Sequence, residues 1–178
     1  SQRYRNARTP DAPDYEDVMA WLEEKMPPET PKPGIIHNDY KFDNVVLDAD
    51  NPLKIVGVLD WEMATIGDPL MDLGSSLAYW VEAADPPNVQ LIRMLPTTIP
   101  GAMTRAEIVA RYAERSGISI PNFDFYLCFG LFRLAVIAQQ IYYRFYHGQT
   151  TDERFKMLIV AVQVLEESAR SLIGNSTL

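Results

Sequence analysis

The sequence holds one cysteine, Cys128. A lone thiol excludes an internal disulfide framework and fits a reducing compartment. It lies inside the apolar run Phe125–Phe132 with no ligand cluster nearby, so it reads as a small core residue. Positive charge is also scarce: Lys plus Arg number 16 against 24 Asp plus Glu, a net charge of -8. Such a surface repels phosphate backbones, and with no dense Lys/Arg stripe it argues against a nucleic-acid partner. It would attract a cationic substrate, although acidity also serves plain solubility. Long hydrophobic runs are missing too. The longest apolar stretches are broken by Arg133, Gln139 and Gln140, so no membrane partner is expected. Residues 1–8 are polar and basic and do not read as a signal peptide. A cytoplasmic location is therefore expected. None of the nine glycines forms G-x-G-x-x-G or a Walker loop, so no glycine-rich phosphate cradle is present.

What is there is ordinary globular material: 47% hydrophobic and 22% charged residues over 178 positions. A chain of that length can bury about 70% of its unfolded surface without a staple. Helical spacing runs from Asp14 to Met26 through Val18, Met19, Trp21 and Leu22, and Pro27 and Pro28 stop it. Pro31 and Pro33 then hold the chain extended. Residues 34–68 are strand-rich, with short apolar runs at Ile35–Ile36, Val45–Leu47 and Ile55–Leu59. The turn formers 48–52 make the last two runs a β-hairpin. Asp68-Pro69 starts a helix whose apolar face continues through Leu70, Leu73, Leu77, Trp80 and Val81. Thr104 and Glu107 form a capping box for a helix that ends at Gly117. Phe123 to His147 and Thr151 to Ile173 complete a helical second half. The fold class expected is α+β and mostly α, a β-hairpin packed on a helical bundle.

A polar cluster, His37 to Asn44, sits at the entrance to the hairpin. It contains His-x-Asp-x-x-x-x-Asn once, as His37, Asp39 and Asn44. In kinases this spacing lets one loop do two jobs: the Asp takes the proton of the attacking hydroxyl, and the Asn holds magnesium. Magnesium favours hard oxygen ligands, so a second carboxylate is expected from a neighbouring strand. Asp60, just past the third apolar run, supplies it. Lys41 is placed to reach a phosphate oxygen as a point charge. Taken singly, Asp39 and Asn44 could be turn formers, Lys41 a solvated cation and His37 a packed loop histidine. Their conjunction in order favours the chemical reading, with His37 kept as support. Asp68 and Asp72 suit the first turn of their helix, one as cap and the other bracing the loop. Trp61 reads as packing, and Glu62 is open to contact with metal or substrate. Tyr79, Trp80, Tyr142, Tyr143 and Tyr146 could line an acceptor pocket, but aromatic residues at helical spacing are more often core.

The segments Ile36–Val46 and Val58–Gly74 closely resemble the aminoglycoside phosphotransferase and choline kinase-like family, above all the branch of kinase-like domains attached to acyl-CoA dehydrogenases. The family loop usually reads His-Gly-Asp, and Asn38 replaces the glycine here. The resemblance implies a kinase-like fold and ATP as co-substrate. It implies Asp39 as catalytic base and Asn44 and Asp60 as magnesium ligands that also bind the nucleotide.

Kinase folds bind ATP between two lobes, and only about 34 residues precede the catalytic segment. Residues 1–178 are therefore expected to be a C-terminal catalytic lobe, with the N-terminal nucleotide-binding lobe absent and the fragment alone inactive. The acceptor is expected to be a small-molecule hydroxyl. A non-catalytic kinase-like binding or regulatory module tied to acyl-CoA metabolism is the alternative.

Overall fold

A computed structural model describes residues 1–30 and 32–178; the extended conformation expected at Pro31 lies outside the described residues. The chain folds as α1 (Gln2–Ala7), α2 (Glu16–Glu24), β1 (Gly34–Ile36), β2 (Val45–Leu47), β3 (Ile55–Val58), β4 (Thr65–Gly67), α3 (Pro69–Leu77), α4 (Pro87–Leu91), α5 (Arg105–Ser116), α6 (Asp124–Tyr146) and α7 (Leu158–Asn175). The mostly helical α+β class holds. β2 and β3 pair antiparallel as the expected hairpin, and β1 pairs antiparallel with β4, a strand that sequence spacing did not reveal. β4 carries only Ile66 between Thr65 and Gly67, too little to register as an apolar run.

α6 is the spine. It is apolar nearly all round, as a helix packed on several sides must be. α1, α2, α3 and α7 lie against it. By length and hydropathy α6 could cross a membrane. Here it forms the core instead, burying Cys128 and Ala135 against Tyr4, Tyr15, Val18 and Val162. Burial pushes the Cys128 thiol up to about 12, which keeps it protonated and unreactive. The Tyr15 hydroxyl donates to the Val162 carbonyl at 2.7 Å and so ties the start of α2 to α7.

Three boundaries differ from the spacing. Residues 2–7, read only as polar and basic, form α1, because Tyr4 and Ala7 are buried on its inner side. The helix after Asp68 ends at Leu77 rather than continuing to Val81. Beyond it the Trp80 carbonyl is taken by the Arg105 guanidinium at 2.8 Å, a tertiary donor in place of a helical N–H. The last helix begins with a tighter 3-10 turn, Glu153–Met157, capped by Asp152, before α7 proper.

α3 and α6 approach backbone to backbone. A Cβ on Gly130 would stand 2.1 Å from the Gly74 carbonyl oxygen, and one on Gly74 would stand 2.1 Å from that of Tyr126. Only glycine on both helices permits this crossing. It fixes where α3 lies, and α3 holds the loop between β1 and β2.

Candidate active site

The loop between β1 and β2 is suspended from the start of α3. Asp68 caps that helix by accepting from the Leu70 N–H at 2.9 Å, with Pro69 at the first helical position. One turn on, the Asp72 carboxylate accepts from the backbone N–H of His37 at 2.7 Å and of Asn38 at 2.8 Å. It therefore braces the loop as expected. Asn38 has φ of +65°, the left-handed region where glycine is favoured and asparagine is tolerated. The Asn38 amide also donates to the Met63 carbonyl at 2.9 Å.

His37 is buried, and both its ring nitrogens are occupied. Nε2 donates to the Leu59 carbonyl at 2.7 Å and Nδ1 accepts from the Asp39 N–H at 3.2 Å. That division uses one N–H and one lone pair, so the imidazole ties the loop to the end of β3. Its ring packs on Trp61 at 4.7 Å between centroids. Trp61 is nevertheless half-exposed, so the packing expected of it is partial.

Asp39 is the centre of the loop. Its Oδ2 accepts from Lys41 Nζ at 2.7 Å and from Asn44 Nδ2 at 3.1 Å; its Oδ1 accepts from the Tyr79 hydroxyl at 3.3 Å. Lys41 Nζ also lies 5.0 Å from the Tyr79 ring centroid. Lys41, expected to reach phosphate, thus rests on the Asp39 carboxylate. Asn44 is buried and gives its second N–H to the Asp39 carbonyl at 2.8 Å. Its amide oxygen, the atom that would ligate a cation, accepts no hydrogen bond among the described residues.

Hairpin pairing brings Asp60 to the same end. Val45 faces Val58 in the ladder, and the Leu59 N–H donates to the Asn44 carbonyl at 2.8 Å. Asp60 follows with φ of +65°. A non-glycine residue held in that region carries strain of a kind concentrated at functional sites. Its exposed carboxylate makes no hydrogen bond or ion pair among the described residues, and the same is true of Glu62. No cluster of three His, Cys, Asp or Glu side chains that could cage a metal occurs among the described residues. Asn44 and Asp60 offer two hard oxygens at one strand end, which fits a magnesium ion that takes its remaining ligands from phosphate and water.

Of the aromatic candidates, Tyr79 reaches Asp39, and Trp80 packs on Phe42 at 5.4 Å between centroids. Tyr142, Tyr143 and Tyr146 pack with one another's neighbours and His147 at the far end of α6, and the Tyr142 hydroxyl donates to Asp11 at 2.7 Å. Sequence reasoning offered Tyr79 only as one of several aromatics. The end of α3 is what aims it.

A model of the phosphotransferase enzyme family matches residues 1–121. Acyl-CoA dehydrogenase family member 11 of Homo sapiens is 30% identical over 177 residues, covering 97% of this chain and 22% of that protein. Acyl-CoA dehydrogenase family member 10 of Mus musculus is 33% identical over 154 residues, covering 85% of this chain and 14% of that protein. The chain thus spans about a fifth of the length of the member 11 relatives it matches. A crystal structure of a candidate aminoglycoside phosphotransferase from Ralstonia eutropha JMP134 superposes with a TM-score of 0.76 and 28% identity, over 96% of this chain and 53% of that one.

Proposed function

The chain belongs to the phosphotransferase enzyme family, and from that premise we propose that it is the C-terminal catalytic lobe of an ATP-dependent kinase acting on a small-molecule hydroxyl. The observation that carries this reading is the Asp39 carboxylate, held by Lys41, Asn44 and Tyr79, with Asp60 next to the residue that pairs with the Asn44 backbone. Phosphoryl transfer needs an aligned nucleophile and neutralised charge more than covalent help from the protein. Asp39 accepts the acceptor's proton. Asn44 and Asp60 would hold magnesium, which would supply positive charge to the transferring phosphoryl group. Lys41 is shared between Asp39 and a phosphate oxygen.

Asp60→Ala in the protein that carries this chain is expected to weaken magnesium-nucleotide binding at least tenfold and leave the nucleotide's metal-free affinity unchanged. Calorimetry with and without magnesium checks this, and equal magnesium-ATP affinity would remove Asp60 from the ligand set.

The hairpin supports the two-lobe part of the reading. Val46, Leu47, Ile55, Val56 and Leu59 are large apolar side chains left exposed along the hairpin that leads to the site, as expected of a surface that another domain covers. A titration of residues 1–178 alone with magnesium ATP is therefore expected to show weak binding. Tight stoichiometric binding would sink the two-lobe reading. A reducing, cytoplasmic location belongs to the same proposal, supported by the single buried thiol.

The names of the relatives favour one second reading, a kinase-like module serving acyl-CoA metabolism without catalysis. Against it stands the complete polar set, since a domain freed from catalysis has no need of Asp39, Asn44 and Asp60 together.

A further inference from the structure

We propose that Tyr79 is a positioning residue for phosphoryl transfer, orienting the Asp39 carboxylate through its hydroxyl and the Lys41 ammonium through its ring; this rests on the phosphotransfer reading above. The two carboxylate oxygens of Asp39 are not equivalent. Oδ2 is engaged by Lys41 at 2.7 Å and Asn44 at 3.1 Å, whereas Oδ1 receives only the longer 3.3 Å bond from Tyr79. Oδ1 therefore keeps a lone pair for the acceptor's proton. Among the described residues the Tyr79 hydroxyl is the side-chain donor on that oxygen, and with Lys41 and Asn44 on the other it fixes the rotation of the carboxylate.

The tyrosine is suited to the task. Burial, then the Asp39 charge, pushes its phenol up to about 12, so it stays protonated and can only donate toward the carboxylate. The ring face carries Lys41 Nζ at 5.0 Å, so one side chain restrains both members of the Asp39–Lys41 pair. Orientation of this kind carries weight in catalysis because a misplacement of about 1 Å costs as much as 10²-fold in rate.

The backbone that presents Tyr79 is itself pinned. Asp72, in the first turn of α3, grips the loop backbone at His37 and Asn38, and Tyr79 lies two residues past the end of the same helix. The Gly74–Gly130 crossing seats α3 on α6 between those two grips. Beyond Tyr79, the Arg105 guanidinium holds the Trp80 carbonyl at 2.8 Å and pairs with Asp85 at 2.6 Å and Glu82 at 3.3 Å. α3 and its pinned exit thus hold the catalytic loop from both ends.

The test uses the full-length protein that carries this chain, with magnesium ATP as substrate and water as acceptor. Tyr79→Phe removes the hydroxyl and keeps the ring. It is expected to lower kcat for phosphate release about tenfold, with KM for magnesium ATP within twofold of the parent. Tyr79→Leu also removes the ring face, and its expected loss approaches 10²-fold. A Tyr79→Phe enzyme with parental kcat, or one whose loss appears only as a raised KM, overturns the proposal. Asp39→Asn measured alongside separates the two levels. If it is as active as the parent the phosphotransfer reading fails, whereas an inactive Asp39→Asn beside a fully active Tyr79→Phe overturns the Tyr79 role alone. Should the parent release no measurable phosphate to water, crystal structures of parent and Tyr79→Phe decide. A carboxylate of Asp39 turned away from the Lys41–Asn44 pair supports the role, and an unmoved one overturns it.

Discussion

Asp39→Asn is expected to lower phosphotransfer by the protein that carries this chain about 10²- to 10⁴-fold, the usual contribution of a positioned general base. The substitution is nearly isosteric. The amide oxygen can still accept from Lys41 and Asn44, and its NH₂ can face a Tyr79 hydroxyl that reverses to accept. The loop also keeps its principal anchors, because Asp72 holds the backbone of His37 and Asn38 and His37 holds Leu59. Melting temperature should therefore stay within about 2 °C of the parent. What disappears is the proton acceptor. A coupled assay of ADP release together with a thermal melt checks both halves. Retained turnover would remove Asp39 from the base role, and a collapsed melt would show that the loop is braced differently.

The second large effect concerns stability. Gly130→Ala is expected to cost about 3 kcal/mol or more, at the upper end of what overpacking usually costs. Its Cβ would stand 2.1 Å from a backbone oxygen and 2.6 Å from a backbone carbon of Gly74, neither of which can swing aside as a side chain can. Relief requires α3 to move off α6. For a domain of this size that loss corresponds to a fall in Tm of roughly 10 °C. Gly174, in α7, is the control, because a Cβ there meets nothing within 4 Å. Gly174→Ala should be neutral or stabilising by up to about 1 kcal/mol. Two equal melts would mean that the crossing is looser than the backbone distances imply. Since α3 carries both Asp68 and Asp72, Gly130→Ala should also impair the active site from a residue that does not touch it.

Legibility in the sequence followed the range of the interactions. His37, Asp39, Lys41 and Asn44 were readable because one loop carries them at the spacing the chemistry requires, and the hairpin that adds Asp60 announces itself through the turn formers 48–52. The Asp68 cap and the Thr104–Glu107 capping box were readable because a cap is a local hydrogen bond between residues two or three apart. Tyr79 lies 40 residues from Asp39, and its aim depends on α3 stopping at Leu77. Beyond the stop the Trp80 carbonyl is held by Arg105, 25 residues further on, a long-range contact that helical periodicity does not register. The left-handed backbone of Asp60 has no sequence signature either. The helix crossing left a trace in the sequence: glycine inside a helix costs about 1 kcal/mol against alanine, so Gly74 and Gly130, each inside a helical stretch, point to close backbone contact.

The most direct test of phosphotransfer by the Asp39 site is the fate of the γ-phosphate. ³¹P NMR would follow magnesium ATP mixed with the full-length protein and a set of small hydroxyl compounds spanning sugars, hydroxy amino acids and amino alcohols. Expected is loss of the γ resonance with growth of a new phosphomonoester signal, both absent with Asp39→Asn. An ATP spectrum unchanged by the parent protein across the whole set, or an ester signal that persists undiminished in Asp39→Asn, would contradict it.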